Sequence, residues 1–238
     1  MFSCAFALRL LKILMLQRRP FNRNEHIFRS PELENLLKDA IRFFNGTPVY
    51  ALPPPETFIG SSVYAIYYTG TLDLYKRISQ VNRLRYDLPI YVGKAIPTGS
   101  RRGKGGKEAA SLYRRLSEHA RSVAAAENLD ASGFHCRFII IPHDEDALIS
   151  PIAAAIIKQY NPLWNSWVDG FGNHDPGGGR YHQARSQWDV IHCGRSWAEN
   201  LKGVKGEHDP KTILKNIRDY VDLLTAGTLD GAGGPDDL

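Results

Sequence analysis

Val63-Tyr64-Ala65-Ile66-Tyr67-Tyr68 is an unbroken run of β-branched, aromatic and small apolar residues, bounded by Ser61-Ser62 and by Thr69-Gly70. Such a run reads as a strand, because these side chains cover a pleated, buried surface and the small flanking residues favour turns. Working outward, Leu88–Val92 (LPIYV) reads as a second strand and Phe134–Ile141 (FHCRFIII) as a third, buried one. The polar stretch from Thr69 to Asp87 has a mixed helical pattern. Glu108–Ala126 predicts a helix, with Leu112, Leu116, His119 and Val123 on one face. Asp144–Ile149 predicts a short helical turn. Ser150-Pro151 restarts a helix through Tyr160, with Ile152, Ile156 and Ile157 inward.

The ends of the chain follow the same logic. Ser30-Pro31-Glu32 opens a helix with a hydroxyl cap, a proline in the first turn and an acid beside it. Leu33, Leu36, Leu37, Ile41 and Phe44 continue it to Asn45-Gly46, and Ala51–Pro55 is an extended breaker. Asp209-Pro210 caps a last helix with Ile213, Ile217, Val221 and Leu224 on one stripe. The apolar faces of this helix and of the N-terminal one are candidate dimer surfaces. Three strands among helices make the chain α+β.

Composition bounds the function. At 238 residues, 43% hydrophobic and 23% charged, the chain can fill a core and is not disordered as a whole. Cys4, Cys136 and Cys193 are few, far apart and without a Cys-x-x-Cys pair, so neither a disulfide framework nor a zinc ribbon is supported, and a reducing cytoplasm fits best. There is no dinucleotide fingerprint, P-loop or nucleophile elbow. Residues 4–16 are apolar but contain Arg9 and Lys12, and they are too short to span a bilayer. Met15 is the expected natural start, which makes the first residues a leader.

The net charge of +5 has a location. Residues 98–121 carry Arg101, Arg102, Lys104, Lys107, Arg114, Arg115 and Arg121 against Glu108 and Glu118, a local excess equal to that of the whole chain. Thr98–Lys107 (TGSRRGKGGK) holds four bases and four glycines, a loop whose backbone can approach phosphates closely. A focused cationic segment points to an anionic polymer, since each phosphate contact adds affinity through counterion release. All four tryptophans fall between residues 164 and 197, around Gly170–Arg185 (GFGNHDPGGGRYHQAR), a loop rich in side chains that read bases.

Four groups of polar residues sit on this scaffold in order: Ser62-Val63-Tyr64; Tyr91-Val92-Gly93-Lys94; Leu112-x-x-Arg115-Leu116-x-x-His119; and Ala153-x-x-Ile156-Ile157-x-x-Tyr160-x-Pro162-x-Trp164-Asn165. Together they resemble the GIY-YIG nuclease superfamily, in particular its type II restriction endonucleases that cut the palindrome CCGCGG. The likeness covers about residues 62–165 by motif and extends to Trp188-Asp189-x-x-His192-x-Gly194-Arg195-x-Trp197. It implies a small central antiparallel three-stranded sheet flanked by helices, with N- and C-terminal elaborations. The expected organisation is a leader over 1–20, one nuclease domain over 21–225 and a disordered acidic tail over 226–238.

The resemblance also implies a one-metal phosphodiester hydrolase using Mg²⁺, a homodimer on DNA and a cognate methyltransferase as functional partner. Tyr64 would be the general base or water positioner, and Tyr91 would orient the phosphate or water network. Arg115 would stabilise charge on the pentavalent phosphate. His119 would support Tyr64 as proton acceptor with a pKa near operating pH, and an exposed Asn165 would tie the last helix to the site. Lys94, Arg101, Arg102, Lys104, Lys107 and Arg114 are the expected phosphate contacts. Asn173, His174, Arg180, His182, Gln183 and Arg185 are the expected base readers. The histidines at 174, 182 and 192 match no zinc spacing.

One position departs from the pattern. The superfamily carries a metal-binding glutamate twelve residues before the terminal asparagine, and here that position is Ala153. Glu118, Asp144, Glu145 and Asp146 do not sit at the matching helical position. The chain is therefore expected to bind DNA and scarcely cleave it, whether Ala153 is an active-site substitution or the mark of a natural, degenerate relative. A non-catalytic DNA-binding protein and a repair or homing nuclease of the same superfamily are the alternatives.

Overall fold

The computed structural model describes residues 20–96, 110–203 and 208–229. The expected phosphate contacts Arg101, Arg102, Lys104 and Lys107 lie outside the described residues, as do residues 1–19 of the expected leader and 230–238 of the expected tail, while residues 226–229, expected to be disordered, continue the last helix. The chain divides into two compact units, residues 1–36 and 37–238. In the first, Asn22 caps a 3₁₀ turn at Arg23–His26, and the Ser30 hydroxyl accepts from the Leu33 amide at 3.2 Å, as the sequence predicts. Helix α1 spans Pro31–Gly46.

The second unit is built on one antiparallel sheet of four strands: β1 (Val49–Ala51), β2 (Ser61–Tyr68), β3 (Pro89–Ala95) and β4 (Phe134–Ile141), in the order β1-β4-β2-β3. The expected number was three. The extra strand is β1, a three-residue edge that pairs Val49, Tyr50 and Ala51 with Arg137, Cys136 and His135. It carries no alternation of its own and runs straight into Pro53-Pro54-Pro55, so the local pattern reads as a breaker. The partner strand alone makes it β.

Strand β2 lies between β4 and β3, and all eight of its residues are buried. Alternation along it therefore sorts two hydrophobic layers. Tyr64, Ile66 and Tyr68 face a cluster with Leu112, Leu116 and Val123 of α3 (Ser111–Ala125) and Ile78 of α2 (Lys76–Arg85). Val63, Ala65 and Tyr67 face Ile41 and Phe44 of α1 and Ile149, Ile152, Ala153 and Ile156 of α4 (Ile149–Tyr160). The predicted apolar face of α3 is thus correct residue by residue. Between Ile66 and Tyr67 the β2–β3 register shifts, because Tyr67 pairs with Pro89 while Ile66 pairs with Tyr91. Ile90 is the extra residue of a bulge, and the bulge leaves Tyr91 opposite Ile66 on the Tyr64 face.

The first layer continues into the C-terminal half through α5 (Leu163–Ser166), α6 (Gln187–Ile191) and α8 (Pro210–Leu229), with the short α7 (Ser196–Glu199) between the last two in sequence. Asp209 caps α8 by accepting from the Thr212 amide at 3.0 Å. The stripe Ile213, Ile217 and Val221 is buried in the chain's own core. That corrects the expectation that this face is free for a dimer. No helix among the described residues is long and apolar enough to cross a membrane.

A fully satisfied polar chain runs through this layer. The Asn128 side-chain amide donates to the Ile191 carbonyl at 2.9 Å, which turns its oxygen toward His192 Nδ1 at 2.8 Å. Nδ1 must therefore carry the proton, and Nε2 accepts from the Tyr75 hydroxyl at 2.7 Å. Tyr75 in turn accepts from Trp164 Nε1 at 3.2 Å. Burial, with the Arg195 charge adding, pushes His192 down to about 3 from its ordinary 6.5.

That shift sets the direction of a pH dependence. Once unfolded, His192 regains its ordinary pKa and takes up a proton, so its stabilising contribution is complete above about 6.5 and is lost as pH falls toward about 3. Thermal unfolding followed from neutral pH into this window is expected to show a falling Tm. His192→Gln, which cannot be charged, should begin from a lower Tm and descend less steeply.

Candidate active site

The site forms where β2, β3 and α3 meet. Helical spacing places Arg115 and His119 one turn apart on α3, and the docking of Leu112 and Leu116 turns both toward the sheet. The Tyr64 hydroxyl lies 2.6 Å from His119 Nε2, with both side chains buried. Tyr91 closes a triangle, its ring 6.3 Å from that of Tyr64 and 5.1 Å from that of His119. The Tyr64 phenol can occupy this place only because its cross-strand partner is Gly93, where a Cβ would stand 2.3 Å from the hydroxyl.

A turn following α5 covers the triangle. Phe171 stacks on His119 at 4.6 Å and meets Tyr91 edge-on at 4.9 Å. The Gly172 carbonyl accepts from Arg115 Nη2 at 2.8 Å, and a Cβ on Gly172 would lie 2.7 Å from the Tyr91 hydroxyl. Arg115 also donates through Nη1 to Glu118 at 2.9 Å and touches the His174 ring.

Burial sets the protonation states. It raises the Tyr64 phenol, with the neighbouring Tyr91 adding and Arg115 opposing. It raises Tyr91 against the pull of Arg115. It drives His119 well below its usual range, helped by Arg115, His174 and Arg195. The expectation of a His119 poised near operating pH is therefore corrected. The ring is neutral at pH 7 and Tyr64 rests as a phenol, and in the tautomer with the proton on Nδ1 the phenol donates to Nε2. Burial disfavours the Arg115 charge, but the two phenols and Glu118 more than offset it and its pKa stays raised.

Asn165 is not exposed as the sequence suggests. Its amide is half-buried and grips the backbone of Val92 twice, Oδ1 accepting from the amide at 2.7 Å and Nδ2 donating to the carbonyl at 2.9 Å. It ties α5 to β3 beside Tyr91. Lys94 reaches Ser150 at the start of α4 at 2.9 Å. Ala153 is 4% exposed and belongs to the apolar layer on the opposite face of β2 from Tyr64.

The expected base readers fall together. Asn173, His174, Arg180, His182, Gln183 and Arg185 line one cavity of about 750 Å³, along with Asp169, Asp175 and His208. Five of these six are exposed, while Arg185 is held by Glu199. Arg114 is exposed on α3. Sequence reading missed Gly93, Glu118, Phe171, Gly172 and Arg195 as parts of the site. Gly93 stood inside a quoted motif, and Gly170-Phe171-Gly172 was a visible signal, but which ring each glycine makes room for depends on packing.

A model of the Eco29kI GIY-YIG domain family matches residues 56–221, a span that takes in every side chain of this site. No curated protein matches the chain. GIY-YIG nucleases use divalent metals, and the donor set here does not suit one. Among the described residues no three His, Cys, Asp or Glu side chains are grouped to hold an ion. Among the described residues the one carboxylate at the triangle, Glu118, is engaged by Arg115, and position 153 offers a buried methyl group.

Two substitutions probe the geometry. Gly93→Ala should destabilise the fold by about 1–3 kcal/mol in urea unfolding, because the Tyr64 ring must leave its place. Asn165→Ala should cost about 1–3 kcal/mol by leaving the Val92 amide and carbonyl without partners. It should also speed hydrogen exchange at the Val92 amide.

Proposed function

We infer that this chain, which belongs to the Eco29kI GIY-YIG domain family of nucleases, is of the type II restriction class and reads a GC-rich palindrome such as CCGCGG. The observation that carries the reading is the 2.6 Å contact between Tyr64 and His119, with Arg115 and Tyr91 beside it. A phenol is a poor base near pH 7 unless an acceptor takes its proton and a cation steadies the oxygen. A neutral His119 is that acceptor and Arg115 that cation. Tyr64 thus positions the attacking water, takes a proton from it as the new phosphorus–oxygen bond forms and passes its own proton to His119 Nε2, while the bond to the leaving ester oxygen breaks and that oxygen takes a proton from solvent water. Arg115 holds the charge that builds on the phosphoryl oxygens, and Tyr91 orients them.

Specificity belongs to the cavity between Asn173 and Arg185. Guanine presents acceptors to arginine there, and cytosine amino groups suit Asp169 and Asp175. Lys94, Arg114 and the glycine-basic loop grip phosphates, which positions the duplex without reading it. A palindrome is read most simply by two-fold symmetry. The homodimer surface falls to the N-terminal unit, where Phe21 and Phe28 are exposed, rather than to the buried stripe of α8. The nuclease proper covers residues 21–225, works in the cytoplasm, and is paired with a methyltransferase that protects the same sequence.

Ala153 favours a second reading for the chain as it stands, a DNA-binding relative that scarcely cleaves. Side-by-side digestion of bacteriophage DNA in Mg²⁺ by this chain and by Ala153→Glu separates the two. Cleavage gained only by the Glu variant supports the metal-site mapping, and no gain overturns it. Affinity for a CCGCGG duplex should fall steeply with salt yet stay at least ~10³-fold above that for an unrelated duplex. Equal affinity for both would leave phosphate gripping alone.

A further inference from the structure

Arg195 makes more contacts than a structural ion pair requires. Its side chain is 3% exposed and Nη2 meets Asp189 Oδ1 at 2.7 Å, which neutralises the charge. The guanidinium is flanked by the rings of Trp188 and Trp197, with Cζ 4.5 and 4.7 Å from their centroids. Nε donates to the same Asp189 oxygen at 2.7 Å, and the terminal nitrogens also reach one turn. Nη2 reaches the Gly170 carbonyl at 3.0 Å, and Nη1 reaches those of Phe171 and Asn173 at 3.2 and 3.4 Å. The turn itself is tight, closed by the Asn173 amide on the Gly170 carbonyl at 3.0 Å. Gly170 sits at φ +101, where a Cβ would run into Ser186.

The opposite side of that turn is the cover of the site. Gly172 presents its carbonyl to Arg115, and Phe171 lies flat against His119. One guanidinium holds the turn from behind while the other is held by it in front. We propose that Arg195 is a positioning residue for phosphodiester hydrolysis, fixing the Gly170–Asn173 turn so that Gly172 and Phe171 orient Arg115 and His119. The reaction named here rests on the nuclease reading above. A planar fork that reaches three carbonyls and a carboxylate at once is an arginine property. Lysine, a point charge on a flexible stem, keeps the charge and loses the fork.

The test is a proton NMR titration of His119 in the free full-length chain, the resonance assigned by its loss in His119→Gln. The groups facing His119 are Tyr64, Tyr91, Arg115, His174 and Arg195. In Arg195→Lys every one of these charges is retained and only the geometry changes. The stacked Phe171 should then leave, the ring should become hydrated, and its titration midpoint should rise by about one pH unit toward the ordinary value. Its ring-current shift should fall as well, while His192 keeps its own. Asp189→Asn, which retains Arg195 but weakens its anchor, should move His119 the same way by less.

A folded Arg195→Lys with His119 unmoved in both midpoint and shift overturns the proposal. Unfolding of both variants makes Arg195 a structural residue and overturns it equally. A parallel binding measurement with a CCGCGG duplex keeps the two readings apart. A wild-type chain that binds no duplex removes the nuclease reaction, whereas the titration alone decides whether Arg195 positions Arg115 and His119.

Discussion

The hydrogen bond between the Tyr64 hydroxyl and His119 Nε2 joins the central strand of the sheet to the helix that covers it, with neither partner exposed to water. A buried phenol and a buried imidazole each cost free energy unless paired, and each is the other's partner here. That pairing constrains much else. It demands a glycine at the cross-strand position, since any Cβ on residue 93 would occupy the place of the hydroxyl. It fixes the rotation of α3, and with it the direction in which Arg115 leaves the helix. It also sets the electrostatics, because the burial that makes the bond strong raises the phenol and lowers the imidazole.

Two guanidiniums and two carboxylates organise the charge around this pair. Arg115 with Glu118 is partly open to solvent, and Arg195 with Asp189 is closed off. The turn between them carries no charge of its own but offers carbonyls in both directions, so both arginines can be satisfied without a further acid. The second polar chain, from Asn128 through His192 and Tyr75 to Trp164, lies in the same layer and leaves none of those groups unpaired. Buried polar networks of this completeness specify one arrangement of the surrounding apolar side chains. The triangle of Tyr64, Tyr91 and His119 therefore rests on rigid neighbours, although Phe171 and Gly172 belong to a loop.

The legible parts of the fold are those whose periodicity is strong and local. Strands β2 and β4 and helices α3, α4 and α8 follow directly from apolar runs or stripes, and Ser30 and Asp209 mark helix starts by their capping chemistry. Strand β1 was not legible, since three residues beside a proline run have no pattern until β4 supplies the hydrogen bonds. At the site, the spacing of Arg115 and His119 placed them on one helix face, and the order of the motifs brought Tyr64 and Tyr91 with them. Asn165 shows the opposite case. Its surroundings suggested an exposed side chain, yet its amide is complementary to the backbone of Val92, a residue far away in sequence.

The amino-acid sequence by itself determined the family, the order and spacing of the two tyrosines, the arginine and the histidine, and the alanine at position 153. These are matters of residue type and local spacing. Only the tertiary structure decided how those groups are protonated, which glycines make room for which rings, and why Arg195 belongs with them. The physical reason is that desolvation and steric fit depend on the neighbours brought in from other elements. His119 looks like an ordinary titrating histidine along the chain, and becomes a neutral acceptor once Phe171, Tyr64 and Tyr91 exclude water from it.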